Sequence, residues 1–251
     1  MNKKKRLWFG FGAFVIAATV FVYWWFFSSP SSFPKQAEAV EGINQVFADA
    51  HASQIQDVIE VSERKRFVPF ITDYANYGVS LWVWSRNEWK ARNISMVGDP
   101  MLWKVEEGDP SSYHVFWNIH PDDAVEEIDF YLMRERGYHI TNSVNETYQP
   151  GVQMKKSVTV ADQSYGVLPL PEGWSHLMES FRNINQDNGG LFSSMSHHPY
   201  VRFGWRPLNS EEENIFPSKS VNGSSYSGGE RLEHMILINP SDIEVPVDET
   251  S

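Results

Sequence analysis

Between Leu7 and Phe27 the chain runs for twenty-one residues without a charge. As an α-helix rising about 1.5 Å per residue, this run measures about 32 Å, against about 30 Å for a bilayer's hydrocarbon core. A segment apolar on every side must be enclosed by protein or given to lipid. Secretory signal peptides have shorter apolar cores, roughly 7–15 residues, that end at small residues suited to cleavage. Here the run ends in Tyr23, Trp24, Trp25, Phe26 and Phe27. Amphipathic rings such as those of Tyr and Trp settle at the membrane–water boundary. The pattern therefore predicts a retained transmembrane signal-anchor over residues 7–27, with the lipid bilayer as its partner. Lys3, Lys4, Lys5 and Arg6 precede the run, and Lys35 is the first charge after it. The positive-inside bias then leaves a basic N-terminus, residues 1–6, in the cytoplasm. The rest is expected outside it, making a single-pass protein of the cell membrane with an extracytoplasmic C-terminal domain.

Charge narrows the partners. All 32 acidic residues lie beyond the anchor, whereas four of the 21 Lys and Arg lie before it, leaving 17. The exported part thus carries about −15, which argues against nucleic acid and against anionic polymers or headgroups as main partners. The chain has no cysteine. That removes disulfides, thiol nucleophiles and thiolate metal sites together. Exported domains of animal or plant origin usually carry disulfides, so the composition points to a bacterial envelope.

Beyond the anchor, residues 28–66 are expected to form a Ser/Pro linker and a juxtamembrane amphipathic helix. Val40, Ile43, Phe47 and Ala50 recur at helical spacing, and Ile55, Val58 and Ile59 resume the stripe. Such a stripe serves either as a seam for a homodimer or as a face packed on the chain's own domain. Residues 67–239 read as the main domain. "GVSLWVWS", "EWKARNISMV", "MLWKVEE" and "SSYHVFWNI" are β-like and are punctuated by the turns Gly98-Asp99-Pro100 and Gly108-Asp109-Pro110. They predict a four-stranded antiparallel meander. "HPDDAVEEIDFYLMRERG" predicts a helix, with acids in its first half and Arg134, Arg136 and Gly137 at its end. A β-hairpin through Ile128, Phe130 and Leu132 is the competing reading. Further strands are expected at "YHITNSVN", "VQMKKSVTVA", "YVRFGWRP" and "LEHMILIN", and a short helix at "PEGWSHLMESFRNI". Residues 240–251 read as an acidic, disordered tail. The fold class is α+β, an antiparallel sheet with packed helices behind one transmembrane helix.

Motifs for chemistry are absent: no G-x-S-x-G elbow, phosphate-binding loop, H-E-x-x-H or calcium loop occurs. No catalytic residue, metal or cofactor is assigned. His197 and His198 are adjacent and, in extended chain, would point to opposite faces, which suits a solvated pair better than a metal. His120 with Asp122 and Asp123 reads first as the start of a helix. The ligand-binding candidates are Trp82 and Trp84, which share one face of a strand whose other face is also apolar. An exposed indole pair there would form a stacking platform; a sheet covered on both sides would make them core. The functional expectation is a membrane-anchored, non-enzymatic interaction module that binds another surface or membrane protein. The alternative is an anchored glycan- or cell-wall-binding domain or hydrolase using the aromatic face.

Overall fold

A computed structural model of the chain describes residues 3–141, 145–187 and 201–244. The uncharged run lies in helix α1 (Lys3–Phe27). Among its described side chains, Trp8, Phe11, Phe14, Val15, Ile16, Val20, Phe21 and Tyr23 are exposed and Trp25 is half-buried. Among the described residues no helix is long and apolar enough to cross a membrane.

The amphipathic helix α2 (Gln36–Val46) is shorter than its stripe suggests. A 3₁₀ turn at Ala48–Ala50 and His51, at φ 45°, reverse the chain. Asn44 then pins the first strand by accepting from the Ala52 N–H at 2.8 Å and donating to its carbonyl at 2.9 Å. Residues expected to prolong the helix instead form strands β1 (Ala52–Ile55) and β2 (Ile59–Ser62). Short apolar runs fit either period, and pairing with β3 (Lys65–Thr72) decides between them. Ala39 and Ile43, on the stripe of α2, are buried against the chain's own domain.

The strands build three sheets stacked in layers. In the first, β1 and β2 pair with the two ends of one edge of β3, and its other edge is followed by β4 (Tyr77–Ser85), β5 (Glu88–Ser95) and β14 (Ser225–Ser227). The second has the order β12 (Tyr165–Pro169), β7 (His114–Asn118), β6 (Met101–Trp103), β15 (Leu232–His234). The third has the order β11 (Val152–Thr159), β8 (Glu127–Arg134), β13 (Arg202–Leu208), β16 (Ile236–Leu237). All pairings are antiparallel except β13 with β16. A separate hairpin joins β9 (Gly137–Thr141) to β10 (Asn145–Gln149).

Alternation along each strand fills the layers. Val68, Phe70, Trp82 and Trp84 face α2. Phe67, Val79 and Leu81 meet Met101, Trp103 and Phe116 of the second sheet. Val115 and Trp117 meet Ile128, Phe130, Leu132, Phe203 and Trp205 of the third, with Trp174 of α3 (Glu172–Asp187) closing that core. Asn118 staples the first two sheets, donating to the Gly78 carbonyl at 2.8 Å and to Gln56 Oε1 at 2.7 Å.

The α+β class and the antiparallel pairing stand, but the meander does not run through one sheet. The first and second pairs of its strands divide between two sheets, because β5 takes β14 as its neighbour and β6 takes β15. The helix expected after His120 is a 3₁₀ turn at Pro121–Asp123 followed by β8. Its charged ends mimicked helix caps, while β8 lies between two other strands and is buried continuously from Ile128 to Met133, with Ile128, Phe130 and Leu132 on its inner face. "LEHMILIN" is not one closing strand: β15 and β16 divide it at Met235 and serve different sheets. The expected short helix is α3. Of the tail, Pro240–Asp242 forms a 3₁₀ turn and Ile243 packs on the outer cluster with Ile238; residues 245–251 lie outside the described residues.

Candidate functional site

Trp82 and Trp84 are 2% and 5% exposed, so the expected stacking platform is replaced by core. The reason is that α2 and the linker cover their face. Phe33 sits edge-on to Trp82 at 5.1 Å and to Trp89 at 5.4 Å, and Trp84 meets Trp89 at 5.7 Å. The helix approaches so closely that a Cβ at Gly42 would lie 2.7 Å from the Trp82 ring. The Trp82 N–H is satisfied internally by Ser80 Oγ at 3.0 Å. Both faces of β4 are covered, and neither indole offers an open face to a ligand.

A cavity opens instead on the opposite side of the first sheet, where its β5–β14 edge meets the β6–β15 edge of the second. Its origin is a break in register. Leu81 pairs with Asn93 and Trp82 with Ala91, so Arg92 is an extra residue in β5. The bulge reverses the alternation: before it Trp89 and Ala91 lie under α2, and after it Asn93 and Ser95 point the other way, beside Leu81 and Val79. Opposite them across β14 stand Ser227 and Ser225. The resulting cavity has a volume of about 150 Å³. Val79, Leu81, Met101 and Phe116 form its apolar side, and Asn93, Ser95, Ser225, Ser227, Glu230 and His234 its polar side.

Glu230 is held firmly there. Its Oε2 accepts from Lys65 Nζ and from the Trp103 indole N–H, both at 3.0 Å, and its backbone N–H donates to Asn93 Oδ1 at 3.3 Å. Lys65 also donates to the Val105 carbonyl at 2.6 Å and lies over the Trp103 ring. The pair is largely buried, with 16% and 17% of the side chains exposed, so the carboxylate and its counter-charge leave the water together. Oε1 of Glu230 takes no partner among the described residues. At the mouth, His234 Nδ1 lies 3.8 Å from Asp99. Burial pushes the Asp99 carboxyl up, and the His234 imidazole only partly offsets it.

Other polar clusters are structural in form. His120 Nδ1 accepts from the Asp122 backbone N–H at 3.1 Å, so the proton sits on Nε2, which donates to the Ala75 carbonyl at 3.0 Å. The Asp122 and Asp123 carboxylates are engaged instead by Lys219 and Ser220. The His120 side chain therefore caps a turn and forms no carboxylate–imidazole pair. On the outer face of the third sheet, Asp129 is wholly buried among Ser157, Lys155 and Arg206. His197 and His198 lie outside the described residues. Among the described residues no group of three or more His, Asp or Glu side chains is arranged to hold a metal ion.

Sequence reasoning overlooked Asn93, Ser95 and Glu230. They sit in a strand of mixed polarity, "EWKARNIS", and in the polar "SSYSGGE" loop, and nothing local marks the bulge that turns the first two toward the third. No protein-family model, no curated protein and no solved structure matches this chain.

Proposed function

We propose that this chain is a single-pass membrane-anchored binding module whose layered β domain lies outside the cytoplasm and meets another surface or membrane protein. The observation that supports the anchor is α1: large apolar side chains among its described residues, such as Trp8, Phe11, Phe14, Ile16 and Val20, are exposed, and four cations sit at its N-terminal end. Leaving so much apolar helix in water carries a cost that lipid removes. The linker supports a fixed stance beside the membrane. The Ser28 carbonyl accepts from Arg64 Nη2 at 2.8 Å, its hydroxyl bonds Asn87, and the Ser31 carbonyl accepts from the Trp89 indole at 3.0 Å. The turns after β2 and β4 thus lie at the end of α1, so the domain stands against the bilayer without a free tether. A homodimer through α2 would have to use its outer side, since Ala39 and Ile43 face inward.

The absence of native cysteine allows a direct test of this topology. Single substitutions Lys4→Cys and Phe216→Cys would be probed with a membrane-impermeant maleimide in intact spheroplasts. Phe216 is 63% exposed. The expected result is labelling of Phe216→Cys in intact cells, labelling of Lys4→Cys only after lysis, and retention of the chain in the membrane pellet after alkaline washing. Recovery in the alkaline supernatant, or the opposite labelling pattern, would overturn the anchor.

A further inference from the structure

We propose that the cavity between the first and second sheets binds one uncharged, hydroxylated six-membered ring, a polyol of monosaccharide size. The inference is independent of the anchor and holds wherever α1 resides. Size is the first constraint. A cavity of about 150 Å³ is of the volume, roughly 150 Å³, that holds a benzene ring when the walls are apolar.

Here the walls are divided, and the division selects the ligand. Leu81 and Phe116 stand for an apolar side that accepts the C–H face of a ring, while Asn93, Ser95 and Ser227 face it from the β5–β14 edge. Asn93 is engaged by Ser227 Oγ and by the Glu230 N–H, and Ser95 Oγ by the Val97 N–H, but neither serine hydroxyl donates to any group among the described residues. A wholly apolar guest would leave those hydroxyl protons without an acceptor, which costs free energy in a partly enclosed site. Charge excludes the ionic alternatives. Glu230 is neutralised by Lys65, so a cation finds no net attraction, and an anion would face the unengaged Oε1. Glu230 lines the cavity, and its Oε1 is an unengaged acceptor among the described residues, suited to a ring hydroxyl; the serine hydroxyls both donate and accept. The sugar-stacking expectation attached to Trp82 and Trp84 thus moves to the other face of the same strand.

Trp103 supplies the readout, because its indole N–H donates to Oε2 of the same carboxylate. The full chain, labelled with ¹⁵N-tryptophan and held in a zwitterionic, sugar-free detergent, would be titrated with D-glucose and separately with cyclohexanol. The Trp103 resonance is assigned with Trp103→Phe. The expected result is a saturable shift of that resonance with glucose in the millimolar range and none with cyclohexanol. Ser227→Leu, at an exposed edge position, would abolish the shift by filling the mouth. Ser95→Ala would weaken binding roughly threefold to tenfold through one lost hydrogen bond. Unchanged positions of the other indole resonances certify the fold of each variant. Absence of a glucose shift, an equal response to cyclohexanol, or a glucose response that survives both substitutions would overturn the proposal.

Discussion

Asp129 lies in the middle strand of the third sheet with no side-chain exposure, yet it is ringed by donors from both neighbouring strands. Lys155 Nζ lies 3.1 Å from Oδ1, Arg206 Nη2 lies 2.9 Å from Oδ2, and Ser157 donates as well. Burial alone would raise its carboxyl, but the hydrogen bonds from Ser157, Lys155 and Arg206, with the charge of Lys155, outweigh burial and hold it below the usual 3.8. The stability it contributes is present above the ordinary carboxylate range and is lost as pH falls through the lowered folded value. Asp99, raised by burial, acts in the opposite sense, so the two effects must be separated by variant. Asp129→Asn is expected to flatten the acid limb of unfolding free energy against pH relative to wild type. Asp129→Ala, which strands both cations, should cost about 3 kcal/mol at neutral pH, read as a lower urea midpoint with an unchanged slope. Little of this was legible locally, since Asp129 falls within the segment that reads as a helix.

At the scale of elements, glycine and proline in "GDP" marked two turns; the second is closed by the Asp109 N–H on the Glu106 carbonyl, whereas at the first the chain bends at Met96 and Val97, just before Gly98. What the motif did not disclose is why Gly98 is glycine. A Cβ on it would lie 1.9 Å from the Asn118 carbonyl oxygen, in backbone that has no room to move. That carbonyl belongs to the strand end whose side chain joins the first two sheets, and the Asn118 N–H donates to the Gly98 carbonyl at 2.9 Å. Gly98→Ala is therefore expected to destabilise by about 3 kcal/mol or more, with loss of soluble expression or a thermal midpoint lowered by several degrees. An unchanged midpoint would show that the two sheets are not in such close contact. The bulge at Arg92 belongs to the same scale. One inserted residue decides which of two consecutive odd-numbered pairs faces α2 and which faces the cavity, and period-two reading cannot see it.

At the scale of the whole molecule, the linker docks on the domain. Phe33 fills the space between Trp82 and Trp89, and the Ser28 and Ser31 carbonyls are held by Arg64 and Trp89. Phe33→Ala should free residues 28–35 from the sheet, and its loss of apolar contact is worth about 2 kcal/mol for a half-buried ring. The expected sign is faster cleavage within this segment by a nonspecific protease, with the β domain remaining resistant. A cleavage rate equal to wild type would mean that the linker is mobile already.

By itself, the sequence determined the uncharged run and its basic flank, the charge excess, the absence of thiols and the antiparallel β character after Phe67. Each is a one-dimensional property, carried by composition or by a repeat of two residues. The tertiary structure decided the rest. Pairing converted "EIDFYLMR" from an apparent helix to a central strand, because strands lie on either side of it and the stripe of Ile128, Phe130 and Leu132 is buried against the second sheet and α3. The cover of α2 and Phe33 turned Trp82 and Trp84 from platform to core. The cavity joins Asn93 to Glu230, 137 positions apart. Such a meeting is set by how edges of different sheets close on one another, and no local pattern of residues encodes it.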